Sequence, residues 1–370
     1  MQVQAYIPAA YLAVMWFVAA CFALVSKPKA DLKSSHVERI RAGEVLHIDL
    51  EFTQRRRSIA ELFVIPYNLP PGLDASPPNG APAPSLKIGG SASLHLGILC
   101  SRRGTFNWGG FRIETDYPFG IMRAYRNYRS KETILVYPGF TPLERLNIPA
   151  GRRYQPGGVA MSSDLGESFE FIGNRDYREG DNVRDIDWVA TARLNTPIVR
   201  EFRDEYFLRV GVVLDTHVGG QNRLDDRENF ERAVSVCASV SDYMARSDYL
   251  VDIFAAGPNL YHLTAGRSLA YLEQILDILA CVEESPVEPF SVVEPELTEY
   301  LSRLTTVVCV FMNWDEKRRD FVHRLASQGT GVKVIIVRDY ECTLEPGSAD
   351  VYGEIPTLSR DDIERGVREL

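Results

Sequence analysis

Residues 166–214 read GESFEFIGNRDYREGDNVRDIDWVATARLNTPIVREFRDEYFLRVGVVL, a run dense in charges, aromatic side chains and turn residues. Asp181 follows a glycine in a turn and is placed to cap a short helix that begins near Asn182. Further on, side chains alternate over residues 198–205 as they do in a strand. An apolar strand ends the run, so we predict a turn, helix and strand unit leading into an α/β sheet.

The charged residues of this stretch allow two interpretations. Paired carboxylates can transfer protons, and arginine forks can bind phosphate. The same residues can form a structural ion network, in which Arg184 and Arg193 pair with Asp181 and Asp187 while Trp188 packs beneath. No histidine, serine or cysteine stands here as a nucleophile beside its base. We therefore expect structure or partner docking, and we expect that the chain is not an enzyme.

The order of residue types is G-E, then R-x-Y-x-x-G-D, then R-x-I-D-W-x-A-x-A-R, then V-R-E-F. This order resembles the signature of the family called domain of unknown function 58. Earlier R-R-G, D-x-P-F-G and V-Y-P landmarks extend the resemblance back to about Arg102. The signature positions, to which we assign a structural or partner-docking role, are Gly166, Glu167, Arg175, Tyr177, Gly180, Asp181, Arg184, Asp187, Trp188, Arg193, Arg200, Glu201 and Phe202.

Length and composition bound the possible functions. The 370 residues are enough for two or three domains, and a net charge of −9 argues against a nucleic-acid partner. The six cysteines are scattered and mostly lie in apolar runs, which predicts neither a disulfide framework nor a zinc site. No phosphate-binding G-x-x-x-x-G-K-[ST] loop occurs, so we expect no ATPase activity and no cofactor.

Residues 5–25 contain no charged side chain and are long enough to cross a bilayer as a helix. Lys27, Lys29 and Lys33 follow this segment, and nothing basic precedes it. Because positive charge stays on the cytoplasmic side, we expect a single-pass protein of the inner (plasma) membrane with a cytoplasmic body. A cleaved signal peptide is the weaker alternative, because the basic n-region is missing.

The rest of the chain divides into four predicted regions. Short strands separated by turns predict a small β-sandwich over residues 43–150, with 45–52, 59–66, 91–99, 105–114 and 132–137 as strands and the proline-rich 69–84 as a loop or flexible insertion. Residues 151–207 hold a linker and the signature. Residues 208–340 alternate apolar strands with amphipathic helices, and 341–370 form a tail with a short helix capped by Ser359.

The predicted fold class is therefore multidomain, β plus α/β, with a membrane helix, a β-sandwich and a doubly wound parallel sheet. The order of elements after residue 208 resembles a von Willebrand factor type A domain, whose metal site reads D-x-S-x-S after the first strand. Only Asp215 matches here, because His217 and Gly219 replace both serines. Loss of two hydroxyl ligands weakens magnesium binding, so we predict a degenerate, metal-free position at Asp215 and His217.

These observations favour a membrane-anchored, non-catalytic scaffold or adaptor. The family resemblance implies that the protein works with a MoxR-type AAA+ ATPase and other von Willebrand type A proteins in chaperone-like assembly or envelope maintenance. One alternative is a metal-dependent hydrolase using Asp181, Asp187 and Glu167. Another is a metal-dependent receptor that binds its ligand through Asp215.

Overall fold

The computed structural model describes residues 2–56, 60–129, 133–149, 170–178, 181, 183–203, 209–219, 223–247, 249–256, 260–264, 269–287, 290–301, 303–347 and 353–370. The first helix, α1, spans Gln2–Val25. Within it Tyr6–Val25 is long and apolar enough to cross a membrane, with almost all of its side chains exposed. An uncharged segment of this length forms a helix about 30 Å long.

A β domain follows α1. Its strands are β1 Ala30–His36, β2 Arg39–Arg41, β3 Val45–Gln54, β4 Leu62–Pro66, β5 Leu73–Ser76, β6 Ala81–Ala83, β7 Ser91–Cys100, β8 Gly104–Asn107, β9 Phe111–Thr115, β10 Ala124–Tyr128 and β11 Thr133–Tyr137. Two four-stranded antiparallel sheets, ordered β1-β3-β7-β5 and β10-β9-β4-β6, and a three-stranded sheet β2-β11-β8 share one apolar core. Every second side chain of β3 faces this core, namely Leu46, Ile48, Leu50 and Phe52.

Two predictions for the β domain are wrong. The proline-rich stretch 69–84 contains β5 and β6, which lie at the outer edges of the two larger sheets, where a proline without a ladder hydrogen bond is tolerated. The predicted strand 105–114 is two strands, β8 and β9, in different sheets. Gly110 separates them with a φ of 103°, a left-handed conformation that ends the extended run.

The signature folds into a small unit, which we call the signature unit. It consists of β12 Glu170–Asp176, a 3-10 turn Val183–Asp185, α2 Trp188–Leu194 and β13 Ile198–Arg203. Strands β12 and β13 pair antiparallel, and the backbone N–H of Asp187 donates to the carbonyl of Ile198 at 2.8 Å. The predicted strand at 198–205 is confirmed over Ile198–Arg203.

The remaining elements form an α/β domain. They are β14 Arg209–Leu214, α3 Arg223–Arg246, β15 Leu250–Ala256, β16 Leu260–Thr264, α4 Leu269–Cys281, α5 Phe290–Tyr300, β17 Thr306–Phe311, α6 Glu316–Ser327, β18 Gly331–Val337, β19 Thr357–Leu358 and α7 Arg360–Arg365. The sheet order is β16-β15-β14-β17-β18-β19. Ser359 caps α7 through a capping box, as predicted.

Helices cover both faces of this sheet. Along β14, Val210, Val212 and Leu214 face a core shared with α3 and α4, while Val213 faces the core shared with α5 and α6. The predicted parallel sheet is parallel from β15 to β19 and has one antiparallel edge, because β16 runs antiparallel to β15. Only three residues separate these strands in sequence, too few for the crossover that a parallel neighbour needs.

The β domain is fixed to the α/β domain by polar contacts with α3 and α4. The side chain of Arg103 is 6% exposed and pairs with Glu231 of α3 at 2.8 Å. The same guanidinium donates to the carbonyl oxygens of Leu279 and Val282, at the end of α4, where the helix leaves carbonyls unpaired. The hydroxyl of Tyr137 donates to Asp277 of α4 at 2.7 Å.

Candidate functional site

The sheet reverses its winding direction between β14 and β17. These two central strands are parallel neighbours, and the strands that follow each of them lie on opposite sides. Open α/β sheets bind ligands beyond the carboxyl ends of such strands. In this chain that position holds Asp215, directly after β14, and Met312 to Asp315, directly after β17.

Asp215 is fully buried and its carboxylate is saturated by partners from the chain itself. One oxygen accepts from the backbone N–H of His217 at 3.0 Å. The other accepts from the Arg318 guanidinium at 2.6 and 2.9 Å and from the N–H of Met312 at 3.3 Å. A buried carboxylate requires such compensation, and here a side chain provides the positive charge that a bound cation provides in other sites.

Arg318 is the cation of this site and lies in the first turn of α6. It is 3% exposed, pairs also with Asp315, the N-cap of α6, and lies over the Phe290 ring with 5.5 Å to the centroid. Burial alone lowers the pKa of the guanidinium, but Asp215 and Asp315 more than offset it, so its pKa lies above the ordinary value. The two carboxylates and the arginine therefore form an ion triad in which Asp215 and Arg318 are buried.

The surroundings of the triad are closed by residues that follow β17 and β18. Arg338 donates to the carbonyl of Met312 at 2.6 Å and stacks on the Tyr340 ring at 3.8 Å. The Tyr340 hydroxyl in turn donates a hydrogen bond to Asp226 of α3. Burial, followed by this hydrogen bond, raises the pKa of Tyr340 to about 12. The carboxyl end of the sheet is thus packed with the chain's own side chains.

His217, the other residue of the predicted degenerate metal position, lies beside the triad and not in it. Its backbone forms a parallel bridge with Ser285, and its ring is half-buried. A Cβ added at Gly219 would come within 2.9 Å of that ring, so the glycine leaves room for the imidazole. Among the residues that the structure describes, no group of three or more His, Cys, Asp or Glu side chains has a metal-binding arrangement.

In the signature unit, Asp181 pairs with Arg175. The two guanidinium nitrogens lie 2.6 and 2.8 Å from the carboxylate oxygens, and the N–H of Arg178 donates to the same group at 2.7 Å. The hydrogen bonds from Arg175, then that of Arg178, lower the pKa of Asp181 to about 2. The prediction that Asp181 caps a helix is therefore wrong: it holds the turn after β12 instead.

Helix capping in the unit is done by Asp187, six residues later. Its carboxylate accepts from the N–H groups of Val189 and Ala190, each at 3.0 Å, and these bonds help lower its pKa, the one from Ala190 most. At the other end Asn195 adopts φ 57° and its N–H returns to the carbonyl of Thr191. Asp181 and Asp187 are thus both used to shape the unit, Asp181 through Arg175 and the N–H of Arg178, and Asp187 through the N–H groups of α2.

The large apolar residues of α2, and Val183 just before it, point outward. Trp188 is 65% exposed, which contradicts the expectation that it packs beneath an ion network. Val183, Val189 and Leu194 are exposed to nearly the same extent, and every residue of α2 is at least partly exposed. The unit therefore presents a short helix whose large apolar side chains face solvent.

The other signature positions fall into two groups. Gly166, Glu167 and Gly180 lie outside the described residues, as do the side chains of Glu201 and Phe202. Arg184, Arg193, Arg200 and Tyr177 are described and exposed. Of the three carboxylates in the hydrolase hypothesis, only Asp181 and Asp187 can therefore be located, and each is engaged as described above.

A shallow cavity of about 350 Å³ lies where the β domain meets α3 and α7. Its lining includes Arg41, Glu44, Phe140 and Ser239, but neither the signature carboxylates nor Asp215. Arg318, which decides the chemistry at Asp215, is a site residue that was not predicted from the sequence. A sequence signal for Arg318 was present. Strand β17 is the parallel neighbour of β14, and Arg318 lies in the first turn of α6, the helix that follows β17, which places it near the carboxyl end of β14.

Comparison with known proteins gives the same family as the signature residues. Residues 173–351 match the family model described as "Protein of unknown function DUF58". The chain is also 21% identical over 314 residues to "Uncharacterized protein YeaD" of Bacillus subtilis (strain 168), across 83% of this chain and 75% of that protein. The matched range covers most of the signature unit and the sheet through β18. The resemblance of the signature residues to the DUF58 family, whose proteins are of unknown function, is therefore supported by a family-model match over residues 173–351.

Proposed function

We propose that this protein is a membrane-anchored, non-catalytic scaffold whose signature unit docks a protein partner. The observation that carries the proposal is the outward position of Trp188, Val189 and Leu194 on α2, each more than 60% exposed. Contiguous exposed apolar patches on folded proteins mark interaction sites. Tryptophan is also enriched among the residues that dominate interface energies.

The charged residues of the unit support docking over catalysis. Arg175 holds Asp181, and Asp187 holds the first turn of α2, so both carboxylates stabilise the platform that presents the apolar side chains. A general acid or base needs its carboxylate within hydrogen-bond reach of a substrate proton. Carboxylates engaged by backbone N–H groups and an arginine are poorly suited to that work.

The α/β domain fits a binding module of the von Willebrand type A-like class with an altered ion site. The support is Asp215 at the end of the first strand of the domain and Arg318 on its carboxylate. A divalent cation at this carboxylate would have to displace a buried guanidinium, which costs the pairing of Asp315 as well. The domain would then bind partners without the help of a metal ion.

The anchor in this proposal is α1, placed in the inner membrane in a single pass with the body in the cytoplasm. The basic residues after α1 support this orientation, because Lys27, Lys29 and Lys33 follow it within eight residues. The partner we propose is a MoxR-type AAA+ ATPase, with other von Willebrand type A proteins in the same assembly. That partner class comes from the family resemblance in the signature residues.

The test is binding of the purified, detergent-solubilised full chain to a MoxR-type ATPase from the same organism. Trp188→Ser should raise the Kd at least about tenfold, because truncating a central interface aromatic typically removes 2 kcal/mol or more. Val287→Ser, at an equally exposed valine outside the unit, is the matched control and should leave the Kd unchanged. Circular dichroism verifies that both variants fold. Equal affinities of wild type and Trp188→Ser, or no binding by wild type, would refute the proposal.

A further inference from the structure

A short loop between β9 and β10 carries exposed apolar side chains at an unusual density. Residues 116–123 read DYPFGIMR, and Tyr117, Phe119 and Ile121 are each about half exposed. The loop has a defined shape, because the N–H of Gly120 donates to the carbonyl of Asp116 at 2.8 Å. We call it the 116–123 loop. Three large apolar side chains on one exposed turn need an apolar environment to cover them.

The loop lies against the last turns of α1. The rings of Tyr117 and Phe22 have centroids 5.0 Å apart. Ala19, one turn before Phe22, is 2% exposed, whereas residues 6–18 of α1 are exposed. The loop is therefore fixed beside the carboxyl end of the apolar helix.

This contact sets the depth of the loop in a membrane. The apolar segment Tyr6–Val25 has 20 residues, about 30 Å of helix, so crossing the hydrocarbon core uses all of it. Phe22 is three residues from the end of that segment, about 4.5 Å along the axis. A ring that packs against Phe22 must lie at nearly the same depth, just inside the boundary between acyl chains and headgroups.

We propose that the 116–123 loop inserts into the membrane interface beside α1 and that its partner is the lipid bilayer. The inference rests on the proposed anchoring by α1 and adds a second point of insertion from the β domain. Tyr117 has the amphipathic ring that is favoured at this depth, and Phe119 and Ile121 supply apolar surface. Leu24 and Val25, at the end of α1, are also exposed.

Charges around the loop complement the headgroup layer. Lys27 and Lys29, directly after α1, are exposed and carry positive charge in a protein whose net charge is −9. Arg123 ends the loop and pairs with Glu114 at 3.2 Å, while Asp116 is the acidic residue at its other end. Cationic side chains next to inserted apolar ones bind headgroup phosphates. This surrounding suits anionic headgroups and disfavours a basic protein surface, and the position beside α1 favours lipid as the partner.

The test places a fluorescent label on the loop of the full chain, reconstituted in vesicles of phosphatidylcholine and phosphatidylglycerol. Cys21, Cys281 and Cys342 are first replaced by serine, and the buried cysteines remain. Phe119→Cys carries an environment-sensitive label in the loop. Val37→Cys is the matched control, because Val37 is exposed but lies at the far end of β1 from α1. Leu12→Cys reports on the middle of α1.

We expect a lipid-borne quencher near the headgroups to reduce emission at position 119 at least about twofold more than at position 37, with the reverse order for aqueous iodide. Protection from iodide at position 12 together with an aqueous signal at position 119 would overturn the loop proposal and leave the anchor standing. A label at position 119 that is protected from iodide but not quenched by lipid would show that protein covers the loop, which also overturns it. An aqueous signal at position 12 would refute the anchor and the loop together.

Discussion

Two arginine–aspartate pairs of this protein have the same chemistry and opposite settings. Arg318 and Asp215 are 3% and 0% exposed, at the carboxyl end of the central strand of the sheet. Arg175, near the end of β12, and Asp181, in the turn that follows, are 30% and 16% exposed. The first pair lies in a closed site packed with side chains. The second supports a unit whose helix α2 exposes large apolar side chains to solvent.

The difference separates what holds the protein together from what is offered to a partner. Buried ions are costly, so each must be matched, and the matching at Asp215 uses three groups of the chain. Partly exposed ions are screened by water, so their pairing adds little to the free energy of folding and serves mainly to fix the local geometry. In the signature unit that geometry positions α2, whose exposed face is the candidate docking surface.

The largest expected effect comes from Arg318→Met. The substitution leaves Asp215 buried without its cation, and breaking a buried pair in this way typically costs about 3–5 kcal/mol. We expect the free energy of unfolding of the detergent-solubilised full chain, measured by urea denaturation, to fall by that amount.

Two further variants test whether the cost arises from the unpaired charge. Asp215→Asn combined with Arg318→Met removes both charges and should recover a large part of the loss. Arg318→Lys should lie between wild type and Arg318→Met, because an ammonium cannot serve Asp215 and Asp315 with the planar fork of a guanidinium. A double variant as unstable as Arg318→Met would mean that packing, and not charge, explains the effect.

A second arginine extends the comparison to the contact between domains. Arg103→Ala removes the pair with Glu231 and the donors that satisfy the last carbonyls of α4. Hydrogen bonds of a charged group contribute about 1.5–3 kcal/mol each, so we expect a loss of about 3 kcal/mol in the free energy of unfolding. Arg368→Ala, at an exposed arginine that pairs with Glu144, should lose less than about 1 kcal/mol. Equal losses would contradict the role of Arg103 at the domain contact.

The pH dependence of the exposed pair gives a smaller effect with a definite sign. The pKa of Asp181 is lowered from its ordinary value of 3.8 to about 2, so its stabilising interaction is complete above the ordinary value and is lost as the pH falls through about 2. We expect the melting temperature of Asp181→Asn to lie below that of wild type at about pH 5, and the two to converge toward pH 2. A gap that stays constant over this range would refute the assignment.

The smallest expected effect is that of chelation. Because Arg318 supplies the positive charge at Asp215, EDTA should leave the melting temperature of the full chain unchanged, and adding magnesium should not raise it. Differential scanning fluorimetry measures both. In Arg318→Met, where the two carboxylates lose their cation, a stabilisation by magnesium is expected instead. Magnesium stabilisation of wild type would show that the guanidinium does not fill the site.

The elements of the α/β domain were predictable because their signals are local. The buried stripe of α3, from Phe230 through Cys237 to Met244, follows from its period alone. The edge strands of the β domain were not predictable. Strand β1 has the sequence ADLKSSH and is a strand because it pairs with β3 along its whole length. Pairing between distant segments leaves no periodic mark in a polar sequence.

The candidate site shows the same limit. The order of residue types identified the signature positions. It did not predict which of them are exposed and which form ion pairs. Arg318 reaches Asp215 across 103 positions of sequence, so only the sheet order brings them together. The outward position of Trp188 is likewise a property of the folded unit, because the sequence around it does not indicate whether its side chain is buried or exposed.

The short connection after α1 has a mechanical consequence. Only residues 26–29 separate α1 from β1, at most about 17 Å of extended chain from Val25 to Ala30. The β domain is in turn joined to the α/β domain through the almost inaccessible Arg103. When α1 lies in a bilayer, a pull on the α/β domain by a partner therefore reaches the lipid with almost no slack, and we expect this protein to transmit force where a long tether would absorb it.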